Sequence, residues 1–203
     1  GSADITLDQS GSTFGTLAIT GANVAVTENA AMDLGASTIS GTASFNSTSN
    51  AITDSGTLAI TGATTLNSGS ADITLNEASS TFGTLVLTGA NVAVTENAAT
   101  DLGASTVSGT FGITSGGAIT DSGTLAITGD ATFTNTSGSN DAITLDDASN
   151  AFAGTVTFAT DSGSAVTIVD TTALDLKTLS AASLSVTAGG AVTDSGTLAI
   201  IGA

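Results

Sequence analysis

The stretch AITDSGTLAITG, from Ala51 to Gly62, is written again unchanged from Ala118 to Gly129. It returns as AVTDSGTLAIIG from Ala191 to Gly202. A longer alignment surrounds it. Residues 1–42 superimpose without gaps on 69–110, a shift of 68, and 34 of the 42 pairs are identical. A degraded third copy begins near Asp141, where AITLDDASNAF answers ADITLNEASSTF. A catalytic motif is needed once, whereas self-similarity at a fixed period describes a building unit. The chain therefore reads as one continuous array over 1–203, with repeats near 1–68, 69–138 and 139–203. Because GSADITL opens the chain and recurs at Gly69, the opening reads as native repeat and the whole as an excerpt of something longer.

A finer pattern lies inside the repeat. Gly-Thr-apolar-x-apolar-Thr fits GTLAIT at Gly15, Gly56 and Gly123 and GTLVLT at Gly83, and looser versions bring the count to nine, three per large repeat. Each alternates with period two, the signature of a strand with one buried face. Gly, Asn, Ser and Asp separate these stretches and supply turns. Many short strands and two nested periods predict an all-β parallel β-helix, or β-solenoid, of about nine coils averaging about 22 residues. Three tandem sandwich domains are the competing architecture, but they leave the nine-fold pattern without a purpose. Some neighbouring occurrences are only 14 or 15 residues apart. Either those coils are tight, or those pairs do not stack on the same face.

Composition narrows the function. The formal charge is −17, with a single cation, Lys177, and no Arg. That excludes the basic footprint of a nucleic-acid binder and argues against docking on anionic lipid. No apolar run approaches the ~18 residues of a spanning helix, so no direct membrane insertion is expected. There is no Cys and no His, so disulfide, thiolate and imidazole chemistry are closed.

The remaining candidates recur with the repeat. Lys177 could serve a Ser-Lys dyad only beside a marked serine, and it stands where the other copies have Gly35 and Gly103. Glu28, Glu96 and Asp170 are equivalent, as are Asp33, Asp101 and Asp175. Residues present in every copy belong to the coil rather than to one active site, so no catalytic residue is assigned and the chain is not read as an enzyme. Asp54, Asp121 and Asp194 open the TDSG turn, followed by Gly56, Gly123 and Gly196. The structural expectation is an Asx-turn, with glycine supplying an unusual backbone angle. The alternative is a calcium ligand set, since carboxylates suit that ion; no other cofactor is expected. Thr16, Thr20, Thr57, Thr61, Thr84, Thr88, Thr124 and Thr128 flank small central residues and point outward. Stacked, they would form a flat hydroxyl ladder suited to lateral packing or, less well, to ice.

Repeats such as SGTLAITGATTL and GANVAVTENAA resemble those of giant secreted bacterial proteins of the filamentous-haemagglutinin and autotransporter-adhesin type. The resemblance is one of composition and repeat grammar over the whole chain. It implies a right-handed parallel β-helix, export to the cell surface, and service as a stalk, adhesin or matrix fibre, with no catalytic or binding residue carried over. The expected function is thus a secreted structural solenoid, a rigid stalk or self-assembling filament at a cell surface or in a biofilm matrix. Its expected partner is itself, end to end or side by side. The alternative is an adhesin that recognises glycan, or less readily ice, through a coil face.

Overall fold

Each short alternation pairs in parallel with a strand about twenty residues away rather than with its sequence neighbour. In the first sheet Ile5 lies beside Val24, Val24 beside Ala43, Ala43 beside Thr64 and Thr64 beside Leu85. In the second, Met32 lies beside Ile52, Ile52 beside Ile73, Ile73 beside Val92 and Val92 beside Phe111. The computed structural model describes residues 3–202; the expected repeat ends at Gly1, Ser2 and Ala203 lie outside the described residues. Ten strands follow one another along the main path of each of these sheets. A short third sheet of Thr20–Gly21, Ser37–Ile39 and Leu58–Ile60 flanks the second one in the early coils. The architecture is a parallel β-solenoid of about ten turns.

The turns come to about ten against the expected nine or so, and the reason for the extra turn lies in the phase. One turn takes from 17 residues, between Leu17 and Leu34, to 25, between Ala131 and Val156. Starting at Ile5, three turns reach Thr64 in the first sheet, but the repeat-equivalent Ile73 lies half a turn further on, in the second. The next equivalent, Ile143, is back in the first sheet. One 68-residue repeat is therefore three and a half turns, and successive repeats present the same residues on opposite sheets. The same switch takes Val24, Val92 and Val166 through first, second and first sheets. The closely spaced motif pairs left open above are thus neighbours along one turn, not stacked rungs.

The core is built of inward rows. Val26, Phe45, Leu66 and Leu87 stack in one sheet, and Val94, Ile113, Phe133 and Phe158 in the other; all are at most 2% exposed. Burying each such side chain contributes about 1.5–3 kcal/mol. Phe133 stacks on Phe158 at 5.7 Å between ring centroids and meets Phe111 edge-on at the same separation. The outermost rungs have a neighbour on one side only, which leaves Leu7, Val192, Ile200 and Ile201 exposed.

Glycine columns let the corners close. A Cβ on Gly62 would stand 2.6 Å from the Gly41 carbonyl oxygen, and one on Gly83 would strike Gly62 in turn. Half a turn round, Gly129 sits on Gly109 and Gly154 on Gly129 in the same way. In the third repeat the register slips between Val156 and Thr157, where Lys177 bulges out of the strand Leu174–Ala181.

Candidate functional site

Three sets of carboxylates recur, and each does a different job between coils. Asp33 Oδ2 accepts the hydroxyl of Thr16 at 2.6 Å, from the coil before, and that of Ser55 at 2.9 Å, from the coil after. Asp101 Oδ2 does the same with Thr84 and Ser122, both at 2.8 Å. Each aspartate thereby ties three rungs on the outer surface. The third member fails. Asp175 faces Thr155 in register, yet Asp175 Oδ1 and Thr155 Oγ1 are both buried without a partner. Thr155 instead donates its backbone N–H to Asp130 at 3.0 Å. That bond is the main cause that holds the Asp130 carboxyl below its usual range, and the nearby Lys177 charge adds the least to it.

Asp54 and Asp121 reach the next coil and not their own turn, which corrects the expected Asx-turn at these two positions. Asp54 accepts the backbone N–H groups of Asn76 at 2.8 Å and Glu77 at 3.2 Å. Asp121 accepts those of Asp146 at 2.8 Å and Asp147 at 3.3 Å, together with the Asn150 amide. A carboxylate can span the ~4.8 Å between coils, and the turn of the following coil offers it free donors. Both oxygens of Asp54 and Asp121 are thus occupied by N–H groups. Among the described residues no three acidic side chains converge as a cation cage. Asp194 lies exposed in the last described rung. Gly56 and Gly123 are needed for close approach: their Cβ atoms would strike the backbone nitrogens of Ala36 and Ala104, and Gly196 lies likewise against Lys177. Neither glycine has a positive φ.

The third set is inside. Glu28, Glu96 and Asp170 are 0%, 2% and 1% exposed. Each accepts the backbone N–H of a phenylalanine one coil earlier: Phe14 at 2.7 Å and Phe82 at 3.0 Å, both in loops, and Phe152 at 3.3 Å, in the short strand Ala151–Phe152. Glu96 has a second donor, the Thr100 hydroxyl at 2.9 Å. The residue at that position is Met32 in the first copy and Leu174 in the third, and there Glu28 Oε1 and Asp170 Oδ2 are left bare. Burial pushes the Glu96 carboxyl up to about 7, against the lowering effect of its two hydrogen bonds. Burial also raises Glu28, offset in part by the Phe14 N–H.

The expected threonine ladder is distributed over more than one face. Thr16 lies in the second sheet and Thr20 in the third, while Thr84 and Thr88 lie in the first. Thr57, Thr61 and Thr128 are exposed, and Thr124 donates to Asp147 at 3.2 Å. The long outward row is made by other residues: Thr53, Thr74, Ala93, Gly112, Thr132 and Thr157. Lys177 is exposed at the bulge.

A family model described as repeats of unknown function (DUF5649) matches residues 21–88, 89–159 and 163–203. The chain belongs to this family. Its matched units begin at Gly21 and Gly89, half a turn apart in phase, in the third and first sheets. Each of the first two DUF5649 units in this chain is thus about three and a half turns and not a closed domain. No curated protein and no solved structure matches the chain.

Proposed function

We propose that this solenoid is a rigid, non-catalytic rod segment of a secreted or cell-surface protein. One observation carries the reading: the polar side chains that recur with the repeat are spent on bonds between coils. Asp33, Asp54, Asp101 and Asp121 each bond a neighbouring turn. Such cross-ties stiffen a stack whose turns otherwise meet only their nearest neighbours. The resemblance to secreted repetitive adhesins and the charge of −17 support an extracellular setting. In this reading the rod lengthens by adding rungs, from the same chain or from a second copy, because an outermost strand offers unpaired backbone groups.

Negative-stain microscopy of chains with increasing repeat number tests it. Straight rods should gain about 17 Å per added repeat, from three and a half turns at ~4.8 Å each. Bent or bead-like particles would sink the reading, and labelling of intact source cells with an antibody tests the location. A second reading, a coil face that binds glycan or ice, rests on the outward row through Thr74 and Thr132. Thr74→Lys should abolish any ice-growth inhibition or glycan retention and leave rod length unchanged.

A further inference from the structure

The two buried glutamates hold the longest loops of the early coils against the core. Glu28 lies over the loop Asp8–Phe14, where Asn29 N–H also bonds Ser12 O at 3.0 Å; Glu96 lies over Asn76–Phe82, where Asn97 N–H bonds Ser80 O at 2.8 Å. On the other side each is covered by the following coil, through Glu28 N–H to Asn46 O and Gly116 N–H to Glu96 O. The titratable groups on these packed elements are all acidic. Asp8 lies on the first loop and Glu77 on the second, Asp54 of the preceding coil bonds Asn76 and Glu77, Asp33 and Asp101 follow on the next strands, Met32–Leu34 and Thr100–Leu102, and the covering segments 46–50 and 115–118 carry none. The sole cation, Lys177, lies by Asp130 in a distant coil. A buried anion with one or two neutral donors and no cation is costly. The only inexpensive relief is hydration: the loop Asp8–Phe14 can lift without breaking a sheet, whereas lifting Asn76–Phe82 also parts the short bridge of Thr81 to Ala59, the Leu58 N–H to Ser80 bond and the Asp54 bonds to Asn76 and Glu77.

We propose that Glu28 and Glu96 are proton-operated latches on these two loops: the neutral carboxyl stays packed under its loop, and loss of the proton releases the loop so that water reaches the anion. The solenoid keeps its rungs while its surface changes. Loss of the Glu96 proton in mildly alkaline medium shifts Asn76–Phe82 toward the open form and exposes Phe82; Glu28, also raised by burial, acts on Asp8–Phe14 and Phe14 in the same direction. The middle latch is the tighter one because Thr100 serves the oxygen that its counterpart Met32 leaves bare in the first.

Native-state amide exchange, corrected for intrinsic rates, tests this on the intact chain. The amides of Ile19 and Leu87 are internal references, since they donate to the hydroxyls of Ser37 and Ser105, which do not titrate. With Glu96 titrating near 7 and an open-state value near 4.5, protection of Phe82 should fall about 30-fold between pH 5.5 and 8.5. Phe14 should fall in the same direction, while Ile19 and Leu87 stay level. Glu96→Gln should flatten the Phe82 profile and leave that of Phe14. A Phe82 profile parallel to that of Leu87 in the native chain overturns the proposal without any variant, as does a pH dependence that survives in Glu96→Gln.

Discussion

Gly62→Ala isolates the contribution of the glycine columns. The new Cβ would stand 2.6 Å from Gly41 O and 2.7 Å from Gly41 C, roughly 0.7 Å inside ordinary contact with that oxygen. Both atoms are backbone, so no side chain can swing aside. Separating the two coils by that amount would carry the Gly62 N–H to Gly41 O bond from 2.9 Å to about 3.6 Å, past a useful hydrogen bond. The adjacent Thr61 N–H to Ile39 O bond, now 3.0 Å, would stretch with it. Two lost bonds at ~1 kcal/mol each, plus ~1–2 kcal/mol of residual overpacking, less ~0.5 kcal/mol from a stiffer unfolded chain, give a net loss of ~2.5–3.5 kcal/mol. Gly112→Ala is the matched control. It lies in the strand Phe111–Ser115, and its Cβ would find no atom closer than 3.8 Å, so it should be neutral or stabilising by up to ~1 kcal/mol. Urea unfolding followed by far-ultraviolet circular dichroism compares the two. A Gly62→Ala protein within ~0.5 kcal/mol of Gly112→Ala would refute the close-stacking argument.

Asp121→Ala removes the acceptor of three donors and should cost about 2–3 kcal/mol by the same urea assay, whereas the repeat-equivalent Asp194→Ala, exposed in the last described rung, should change stability by less than ~0.5 kcal/mol; equal losses at the two sites would favour a local turn role. For Glu96 the folded state binds its proton more tightly than the unfolded one, so its contribution is greatest below pH ~4.5 and is lost as pH rises through about 7. That loss amounts to as much as ~3 kcal/mol, and Glu96→Gln should remove this part of the pH dependence measured by urea midpoints from pH 5 to 8. Thr100→Val deletes the second donor to Glu96 and should destabilise by about 1–2 kcal/mol at pH 8 and by less at pH 5; an equal effect at both would show that the hydroxyl does not serve the anion.

The solenoid was legible because its two causes are local and repeated: period-two alternation and turn residues at short intervals. The phase was not, because stacking needs only an apolar side chain of suitable size. Leu17 in GTLAIT rests on Leu34 in MDLGAST, and Phe45 on Leu66, so rungs need not share letters and counting motifs counts strands instead of turns. Asp54 was misread for a related reason. An aspartate two residues before a glycine signals an Asx-turn when donors are sought nearby, but here the donors are Asn76 and Glu77, close in space and a whole turn away in sequence. The buried glutamates left one faint trace, the exchange of Thr100 for Met32 and Leu174 at a single aligned position. That exchange has meaning only once the carboxylate is seen to be inside.

Three and a half turns per repeat makes the molecule its own reverse side. Rotating the rod by half a revolution while sliding it along by one repeat brings the same print back into view, as with a screw-related pair in a crystal. Whatever side chains one flank presents, the opposite flank presents again one repeat later, so the rod has no single distinguished face along its length.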